Sequence, residues 1–253
     1  GGLFGYYRPI FVNGAVLPNC VCSGLPLRFR AALWNRPMRE LGTSDIFWLL
    51  FAVRWTVALT IIAILGGSLV GSIIMLLRVV PFKPAQVLAI SYINFFQGTP
   101  VLGQLLIIFF GIPLFTGTEV SAWTAAIVAF SLFSGAYLGE IWRGSIEAIP
   151  KTQWEASASI GLSTIEQLRY VIIPQAFRMS VPPTVGFWVH LVKDTSLASI
   201  IGFIELTRAA QIMNAATFRP MTVYLTIAFV YFLICFALTR LSARLEKRLR
   251  VAN

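Results

Sequence analysis

Four stretches of this sequence lack any charged residue and are long enough to cross a lipid bilayer: residues 55–77, 84–118, 120–139 and 220–239. A helix of about 20 apolar residues crosses the hydrocarbon core. Only 12% of the 253 residues are charged, whereas a soluble domain has about a quarter. The runs are apolar on every face, unlike barrel strands, in which apolar and polar residues alternate. The sequence therefore predicts an all-α membrane protein.

A fifth candidate span, residues 181–204, is apolar apart from Lys193 and Asp194 in its middle. The run at 84–118 exceeds one straight span, so we place its helix at 87–112. The predicted transmembrane helices are therefore residues 46–77, 87–112, 120–142, 181–204 and 220–241. We interpret residues 46–248 as one transmembrane domain and residues 1–45 as an N-terminal extension.

The basic residues predict the orientation of the chain. Five spans put the two ends on opposite sides, and short cytoplasmic loops carry an excess of lysine and arginine. This excess predicts a cytoplasmic C-terminus, a cytoplasmic loop at 143–178 and an extracytoplasmic N-terminus. The net charge of +10 comes from residues that flank spans, so it does not indicate nucleic-acid binding. The predicted cytoplasmic side, which has more basic residues than the other, carries Arg78, Lys83, Arg143, Lys151, Arg169, Arg178, Arg240, Arg244, Lys247, Arg248 and Arg250.

The first 37 residues are basic and contain no predicted span. Met38 follows them, shortly before the first span. We expect the native chain to begin at Met38, because the charge asymmetry across the membrane becomes clearer without the preceding arginines.

The stretch from Lys151 to Pro174 looks soluble and contains two helix starts. Thr152 and Glu155 have the spacing of a capping box, in which each side chain pairs with a backbone N–H of the other residue. A short helix is predicted from there to Ile160. Gly161 suits the left-handed residue that ends a helix.

A second capping box follows this glycine. Ser163 and Glu166 have the required spacing, and a second helix is predicted to run to about residue 173. Pro174 is expected to end it, because proline lacks the N–H that a helix interior needs. The pattern predicts two short helices joined by a sharp corner.

The first of these helices is too short to be stable alone in water, so it needs a surface to pack on. Trp154 and Ala156 suit a helix that docks in a groove of another protein. The alternative is a loop helix packed under its own membrane domain. The spacing does not choose between the two.

Several motifs resemble one family, the permeases of ABC importers for polar amino acids. The 151–174 stretch resembles the EAA loop of these permeases, and the resemblance covers about residues 46–248. In the motif from Phe96 to Pro100, Gln97 replaces the arginine that is usual in this family. The resemblance therefore implies no role for Gln97. The matching motifs are Gly135-Ala-Tyr-Leu-Gly-Glu140-Ile-Trp-Arg143-Gly, Ile149-Pro-Lys-Thr-Gln-Trp-Glu155-Ala, Leu168-Arg-Tyr-Val-Ile-Ile-Pro174-Gln-Ala, Phe96-Gln-Gly-Thr-Pro100, Lys193-Asp-Thr-Ser-Leu197 and Glu205-Leu-Thr-Arg-Ala-Ala210.

The resemblance implies the type I ABC importer permease fold in a bacterial plasma (inner) membrane. Such permeases work as homodimers or as pairs of related chains, with ATP-binding subunits on the cytoplasmic side and an extracytoplasmic substrate-binding protein. The EAA segment would be a cytoplasmic coupling helix seated on the ATPase. The sequence has no G-x-x-x-x-G-K-[ST] phosphate loop, so ATP would be bound by another chain. We expect no catalytic activity and no cofactor in this one.

Metal binding is not expected either. His190 is the only histidine, and Cys20 and Cys22 form an isolated pair. The chain therefore lacks a recognisable ligand pattern.

Two sets of candidate functional residues follow. Coupling to the ATPase is assigned to Thr152, Trp154, Glu155, Ala156 and Gly161. A substrate pathway is assigned to Asp194, Thr195, Ser196, Glu140, Gln97 and Thr99.

The candidate pathway residues carry separate expectations. Charged residues within a span are costly and mark functional sites, so Asp194 is a candidate for binding a substrate ammonium group. The alternatives are a local ion pair with Lys193 or exposure to a water-filled cavity. Glu140 is expected to pair with Arg143. The Gln97-Gly-Thr-Pro100 stretch predicts a broken helix of the kind that lines transport cavities.

Two other classes of protein are alternatives to a permease. An ion-driven secondary transporter would carry more intramembrane ionisable residues and inverted repeats, and a non-transporting scaffold would need no doubly capped corner. The residues alone do not identify the substrate. The resemblance implies a substrate among arginine, histidine, glutamate, glutamine, cystine and opines, without choosing one of them.

Overall fold

The computed structural model describes residues 10–12, 15–17, 42–79 and 82–251. Near the N-terminus, strands β1 (Ile10–Val12) and β2 (Ala15–Leu17) pair antiparallel, with Ile10 opposite Leu17. The sequence analysis did not predict this hairpin. The expectations about Met38, Cys20 and Cys22 lie outside the described residues.

The rest of the described chain is helical. Two π-helical segments, Ile107–Gly111 and Gln167–Ile172, and one 3₁₀ segment, Thr195–Ile201, continue neighbouring helices. The α-helices are α1 (Thr43–Val79), α2 (Lys83–Gly98), α3 (Val101–Leu106), α4 (Ile112–Thr116), α5 (Ala122–Glu147), α6 (Lys151–Ser159), α7 (Thr164–Glu166), α8 (Ile173–Asp194), α9 (Leu206–Thr217) and α10 (Pro220–Val251).

Three of the described helices, α1, α5 and α10, are individually long and apolar enough to span a membrane. Two further spans result if each bent pair of helices counts as one. One pair joins α2 to residues 101–116 with a bend of 101°, and the other joins residues 164–201 to α9 with a bend of 50°. The prediction of about five membrane-spanning segments is thus confirmed by length and composition.

Small residues bring α1 and α5 into close contact. A Cβ atom added to Gly67 would lie 2.3 Å from Ser134 Cβ, and one added to Gly71 would lie 3.0 Å from the backbone nitrogen of Gly139. Membrane helices approach closely where such residues face each other. The glycine pair at positions 67 and 71 therefore fixes the central helix contact of the fold.

The largest buried cluster joins α1, α5 and α8, with Leu59, Phe130 and Leu191 fully buried. Helix α10 packs against α8 and α9. It nevertheless leaves many large apolar side chains exposed, including Leu225, Phe229 and Phe232. Only part of the last span therefore joins the core, through Val223 and Ile227, which are buried in a second cluster with α1 and α9.

The expectation that Pro174 ends a helix is wrong. The chain widens into the π segment Gln167–Ile172, and the N–H of Ile173 bonds to the carbonyl of Leu168, five residues back. Pro174 then lies in the first turn of α8, where a missing N–H is tolerated. The helix therefore continues from the Gly161 corner towards Asp194 without a stop.

The fourth predicted span, 181–204, differs from the structure at both ends. Helix α8 begins before it, at Ile173, and ends at Asp194. The chain then tightens into the 3₁₀ segment and bends at Gly202, which has a φ of +84°. This position needs a left-handed backbone, which glycine adopts without strain.

Candidate functional site: the coupling segment and the polar residues of the spans

Helix α6 begins two residues earlier than predicted. Its N-cap is Pro150, which makes no side-chain cap, and its carbonyl accepts the N–H of Gln153 at 3.0 Å. Thr152 therefore lies inside the first turn and does not cap the helix. The predicted box of Thr152 and Glu155 is wrong because the preceding proline already sets the helix start.

The corner at Gly161 is confirmed. Its φ is +85°, and its N–H bonds to the carbonyl of Ala158 at 2.9 Å. The N–H of Leu162 reaches the carbonyl of Ser157 at 3.3 Å. These two bonds form a Schellman motif, which satisfies the last carbonyls of the helix and turns the chain sharply.

The second capping box is also confirmed. The carboxylate of Glu166 accepts the backbone N–H of Ser163 at 2.8 Å, and the Ser163 hydroxyl accepts the N–H of Glu166 at 3.5 Å. In addition, the side chain of Gln167 donates to the carbonyl of Leu162 at 2.8 Å. The corner is thus held from both sides by local hydrogen bonds.

Helix α6 has two different faces. Trp154 is half-buried and packs with the buried cluster of Ile146, Ile149, Ile172 and Ala176. The opposite face is exposed and carries Thr152, Glu155, Ala156 and Ile160. The two interpretations left open by the sequence are therefore compatible, because one face packs under the membrane domain and the other is free to contact a second protein.

The charged pair of the fourth span does not form an ion pair within the described part of the chain. Lys193 is exposed, whereas Asp194 is half-buried, and neighbouring helical residues point about 100° apart. Thr195 is fully buried and donates to the carbonyl of Val192 at 2.7 Å. Ser196 donates to the carbonyl of Lys193 at 2.7 Å. Both hydroxyl hydrogens are therefore already used by the helix.

The predicted pairing of Glu140 with Arg143 is confirmed. Arg143 Nε donates to Glu140 Oε2 at 3.0 Å, and a second guanidinium nitrogen bonds to the other carboxylate oxygen. The sequence analysis missed a third member, Glu147, which also pairs with Arg143. Its position one turn further along α5 was a usable signal, since residues four apart share a helix face.

The predicted break in the second span is confirmed at Gly98 to Val101, where the helix axis bends by 101°. Thr99 Oγ1 donates to the carbonyl of Phe95 at 2.7 Å. Gln97 reaches the carbonyl of Ala136 at 3.4 Å. The break thus rests partly against α5.

Gln104 is a residue of the break that sequence reasoning missed. It is buried, and its Nε2 atom donates to the carbonyl of Phe96 at 2.9 Å and to the hydroxyl of Thr99 at 2.8 Å. It therefore satisfies groups that the broken helix leaves open. The signal was a lone glutamine within a long apolar run.

A second missed group lies where α9 begins. Glu205 is fully buried and accepts the N–H of Thr207 and of Arg208, each at 2.8 Å. The hydroxyl of Tyr231 in α10 donates to the same carboxylate at 2.8 Å. Thr56 in α1 accepts the N–H of Leu206 at 3.1 Å. This network joins the first and last spans to the turn after the 3₁₀ segment.

The structure separates the coupling residues from Asp194. The coupling residues lie near the start of α8 and Asp194 at its end, and α8 is about 33 Å long at 1.5 Å per residue. Within residues 42–79 and 82–251, no three His, Cys, Asp or Glu side chains lie together as metal ligands would.

Up to five spans, a broken second span and an exposed helix at a fixed corner define a membrane-embedded transport subunit. Residues 67–251 match the family described as "Binding-protein-dependent transport system inner membrane component". The chain belongs to this family and is a permease subunit of an ABC importer.

Relatives are similar over nearly their whole length. The L-cystine transport system permease protein TcyB of Bacillus subtilis (strain 168) is 39% identical over 85% of this chain and 96% of its own. The glutamine transport system permease protein GlnP of Escherichia coli (strain K12) is 34% identical over 80% of this chain and 93% of its own.

A solved structure has the same fold. A chain in the crystal structure of an amino acid ABC transporter with histidines superimposes with a TM-score of 0.78 at 34% identity. The match covers 83% of this chain and 100% of that one. The expected type I importer permease fold is thus confirmed.

Proposed function

We propose that this permease imports a polar amino acid or a related compound, which an extracytoplasmic binding protein delivers. The observation that carries the proposal is the two-faced helix α6, which is anchored by Trp154 and free along Glu155, Ala156 and Ile160. A short helix held at a fixed corner can transmit a push from a second protein to the helix that follows. The names of similar permeases, which include cystine and glutamine transporters, support an amino-acid substrate.

The second protein is an ATP-binding subunit, and the free face of α6 is its contact. ATP is bound and hydrolysed there, so this chain carries no cofactor and no catalytic residue of its own. The exposed coupling residues Thr152, Glu155 and Ala156 form the contact, and Gly161 holds its angle. Helix α6 and the C-terminus lie in the cytoplasm, and the N-terminus lies outside the cytoplasmic membrane.

A second permease chain, identical or related, completes the pathway. The exposed apolar side chains of α10, such as Leu225 and Phe229, must be covered by lipid or protein because they lie in a span. Asp194 is the residue we assign to the substrate ammonium group. Thr99, Gln97 and Glu140 line the same pathway as polar neighbours, with Ser196 offering an acceptor oxygen.

The test is reconstitution of the permease with its ATP-binding subunit and binding protein in vesicles. We expect uptake of labelled cystine, glutamine or arginine. This uptake should require ATP on the side of the vesicle membrane where the ATP-binding subunits lie. Uptake driven by an ion gradient without ATP would instead support a secondary transporter. Absence of any uptake with the complete complex would support a scaffold.

The substrate assignment is tested by Asp194→Asn in the same vesicles. Loss of a hydrogen-bonded charge contact weakens binding by about 10- to 100-fold, so KM should rise by that factor. Ser196→Ala is the control, because its hydroxyl hydrogen is already bound to the helix. An unchanged KM in the Asp194 variant would exclude a direct substrate contact.

A further inference from the structure

An apolar cavity of about 390 Å³ lies between α1, α5 and α8. Its lining includes Met75, Trp142, Ile146, Ala176 and Trp188. The cavity is large compared with an engineered apolar cavity of about 150 Å³ that stays dry and binds benzene. It is therefore expected to take up an apolar ligand.

The lining offers few polar groups to a polar ligand, and of these the indole N–H of Trp188 has no hydrogen-bond partner in the described chain. The Thr184 hydroxyl accepts the indole N–H of Trp142 at 3.1 Å. The Ser180 hydroxyl donates to the carbonyl of Phe177 at 2.9 Å. The single neutral N–H of Trp188 cannot replace the hydration of both charged groups of an amino-acid zwitterion, and losing that hydration is strongly unfavourable. The cavity is thus not suited to the transported substrate.

The cavity lies at one end of the helix bundle. Ile146 is followed directly by the last residue of α5, and Ile173 is the first residue of α8. Its rim includes Ile173 and Phe177, which are 49% and 67% exposed. An acyl chain lying in the bilayer can therefore enter sideways between these two side chains.

Positive charge lies just beyond this end. Arg78 is one helical turn after Met75, and its Nε atom is buried without a hydrogen-bond partner in the described chain. Arg169 is exposed about one turn before Ile173 and stacks on the ring of Tyr170. Arg78 and Arg169 thus each lie about one helical turn from a residue that lines the cavity, Met75 and Ile173 respectively.

The acidic residues of the region do not cancel this charge. Glu140 and Glu147 both pair with Arg143, and Glu140 also interacts electrostatically with Arg78. Residues 78–83 and 140–178 nevertheless contain six basic and four acidic residues, which leaves a net charge of +2. An apolar cavity with basic residues at its membrane-surface end fits a lipid with a negative headgroup.

We propose that this cavity holds an acyl chain of an anionic phospholipid, with its phosphate bound by Arg78 and Arg169. The lipid lies between α8, which continues from the coupling corner, and the tightly packed pair α1 and α5. Its leaflet, the cytoplasmic one, rests on the orientation proposed above. Binding itself depends neither on that orientation nor on the identity of the substrate.

The test is native mass spectrometry of the permease complex after purification from bilayers of equal phosphatidylglycerol and phosphatidylcholine. We expect one tightly retained phosphatidylglycerol per permease chain. Ala176→Phe, which fills the cavity, should lose this lipid. Val128→Phe, at an exposed site on α5, should keep it.

A second pair of variants tests the headgroup without changing the packing. Arg78→Gln and Arg169→Gln should each lower the preference for phosphatidylglycerol over phosphatidylcholine by about fivefold, as expected for one basic residue near a membrane surface. These variants keep the result interpretable if Ala176→Phe fails to fold.

Three results would overturn the proposal. The first is equal retention of lipid by the wild type and by a folded Ala176→Phe variant, and the second is an unchanged headgroup preference in both arginine variants. The third is a disulfide between two permease chains carrying Phe177→Cys, which would show that protein covers the cavity. Transport activity is not part of this readout, so a wrong substrate assignment leaves the lipid test intact.

Discussion

The hydroxyl of Tyr231 donates a 2.8 Å hydrogen bond to the carboxylate of Glu205, which also caps the N-terminus of α9. The same hydroxyl lies 3.0 Å from that of Thr207. One phenol of the last span thus orients the turn that follows the polar segment at 193–196. The two residues are far apart in sequence, so the contact is set by tertiary packing.

Tyr231→Phe should destabilise the permease, because it leaves a fully buried carboxylate with one fewer donor. The expected loss is about 1–3 kcal/mol, measured as a lower thermal unfolding midpoint of the purified protein in nanodiscs. Tyr224→Phe on the same helix is the matched control, since Tyr224 is 41% exposed. Equal loss of stability in both variants would contradict the role given to Glu205.

Gly67→Leu should separate α1 from α5. The added side chain begins 2.3 Å from Ser134 Cβ, and overpacking of this kind costs about 1–3 kcal/mol or more. The measurement is the yield of folded, monodisperse protein after extraction from the membrane.

Gly144→Ala serves as the control for this substitution. A Cβ atom at Gly144 meets no atom within 4 Å, and alanine favours a helix over glycine by about 1 kcal/mol. This variant should therefore be as stable as the wild type or slightly more so. A normal yield of Gly67→Leu would show that the two helices can move apart without cost.

Gly161→Val should uncouple ATP hydrolysis from transport. A β-branched residue is strained at a φ of +85°, so the corner between α6 and α7 should open. Space is not the cause, because nothing lies within 4 Å of an added Cβ atom. The measurement compares ATP hydrolysis with substrate uptake in the reconstituted complex.

Gly161→Asn separates backbone strain from other effects at the corner. Asparagine adopts the left-handed conformation more readily than other side chains, so this variant should keep most of the coupled uptake. Normal coupling in the valine variant would mean that the angle of the corner is not important.

Ser163→Ala and Thr152→Ala should differ although both remove a residue of a predicted capping box. Ser163 caps α7, and its loss should cost about 1 kcal/mol and speed local amide exchange about fivefold. Thr152 caps nothing, so its loss should leave exchange of α6 unchanged. Hydrogen exchange with mass spectrometry measures both, and equal protection in the two variants would contradict the assigned caps.

The spans were predictable because an uncharged run of this length fits only a membrane interior. The corner was predictable because a glycine between two helix signals is typical of the left-handed residue that ends the first helix. Ser163 and Thr152 show the limit of local patterns, since both have the same spacing to a glutamate. Only Ser163 is a cap, because the other helix already begins at Pro150, two residues before Thr152.

Pro174 shows a different limit. Its missing N–H was expected to end a helix, yet the preceding π turn places it where no bond is needed. The contacts of Glu205 with Tyr231, and of Thr56 with Leu206, join residues distant in sequence. The pattern of apolar residues along the sequence does not predict such pairs, because they depend on how the spans pack against one another.

The uninterrupted helix from the corner to Asp194 has a mechanical consequence. From Thr164 to Asp194 it is about 45 Å long at 1.5 Å per residue, and its lower end is attached to α6 through the Gly161 corner. A rotation of about 5° at that end displaces the other end by about 4 Å, which is larger than a hydrogen-bond length. A small change of angle at Gly161 is therefore amplified along the helix into a displacement of Asp194, the residue proposed to contact the substrate.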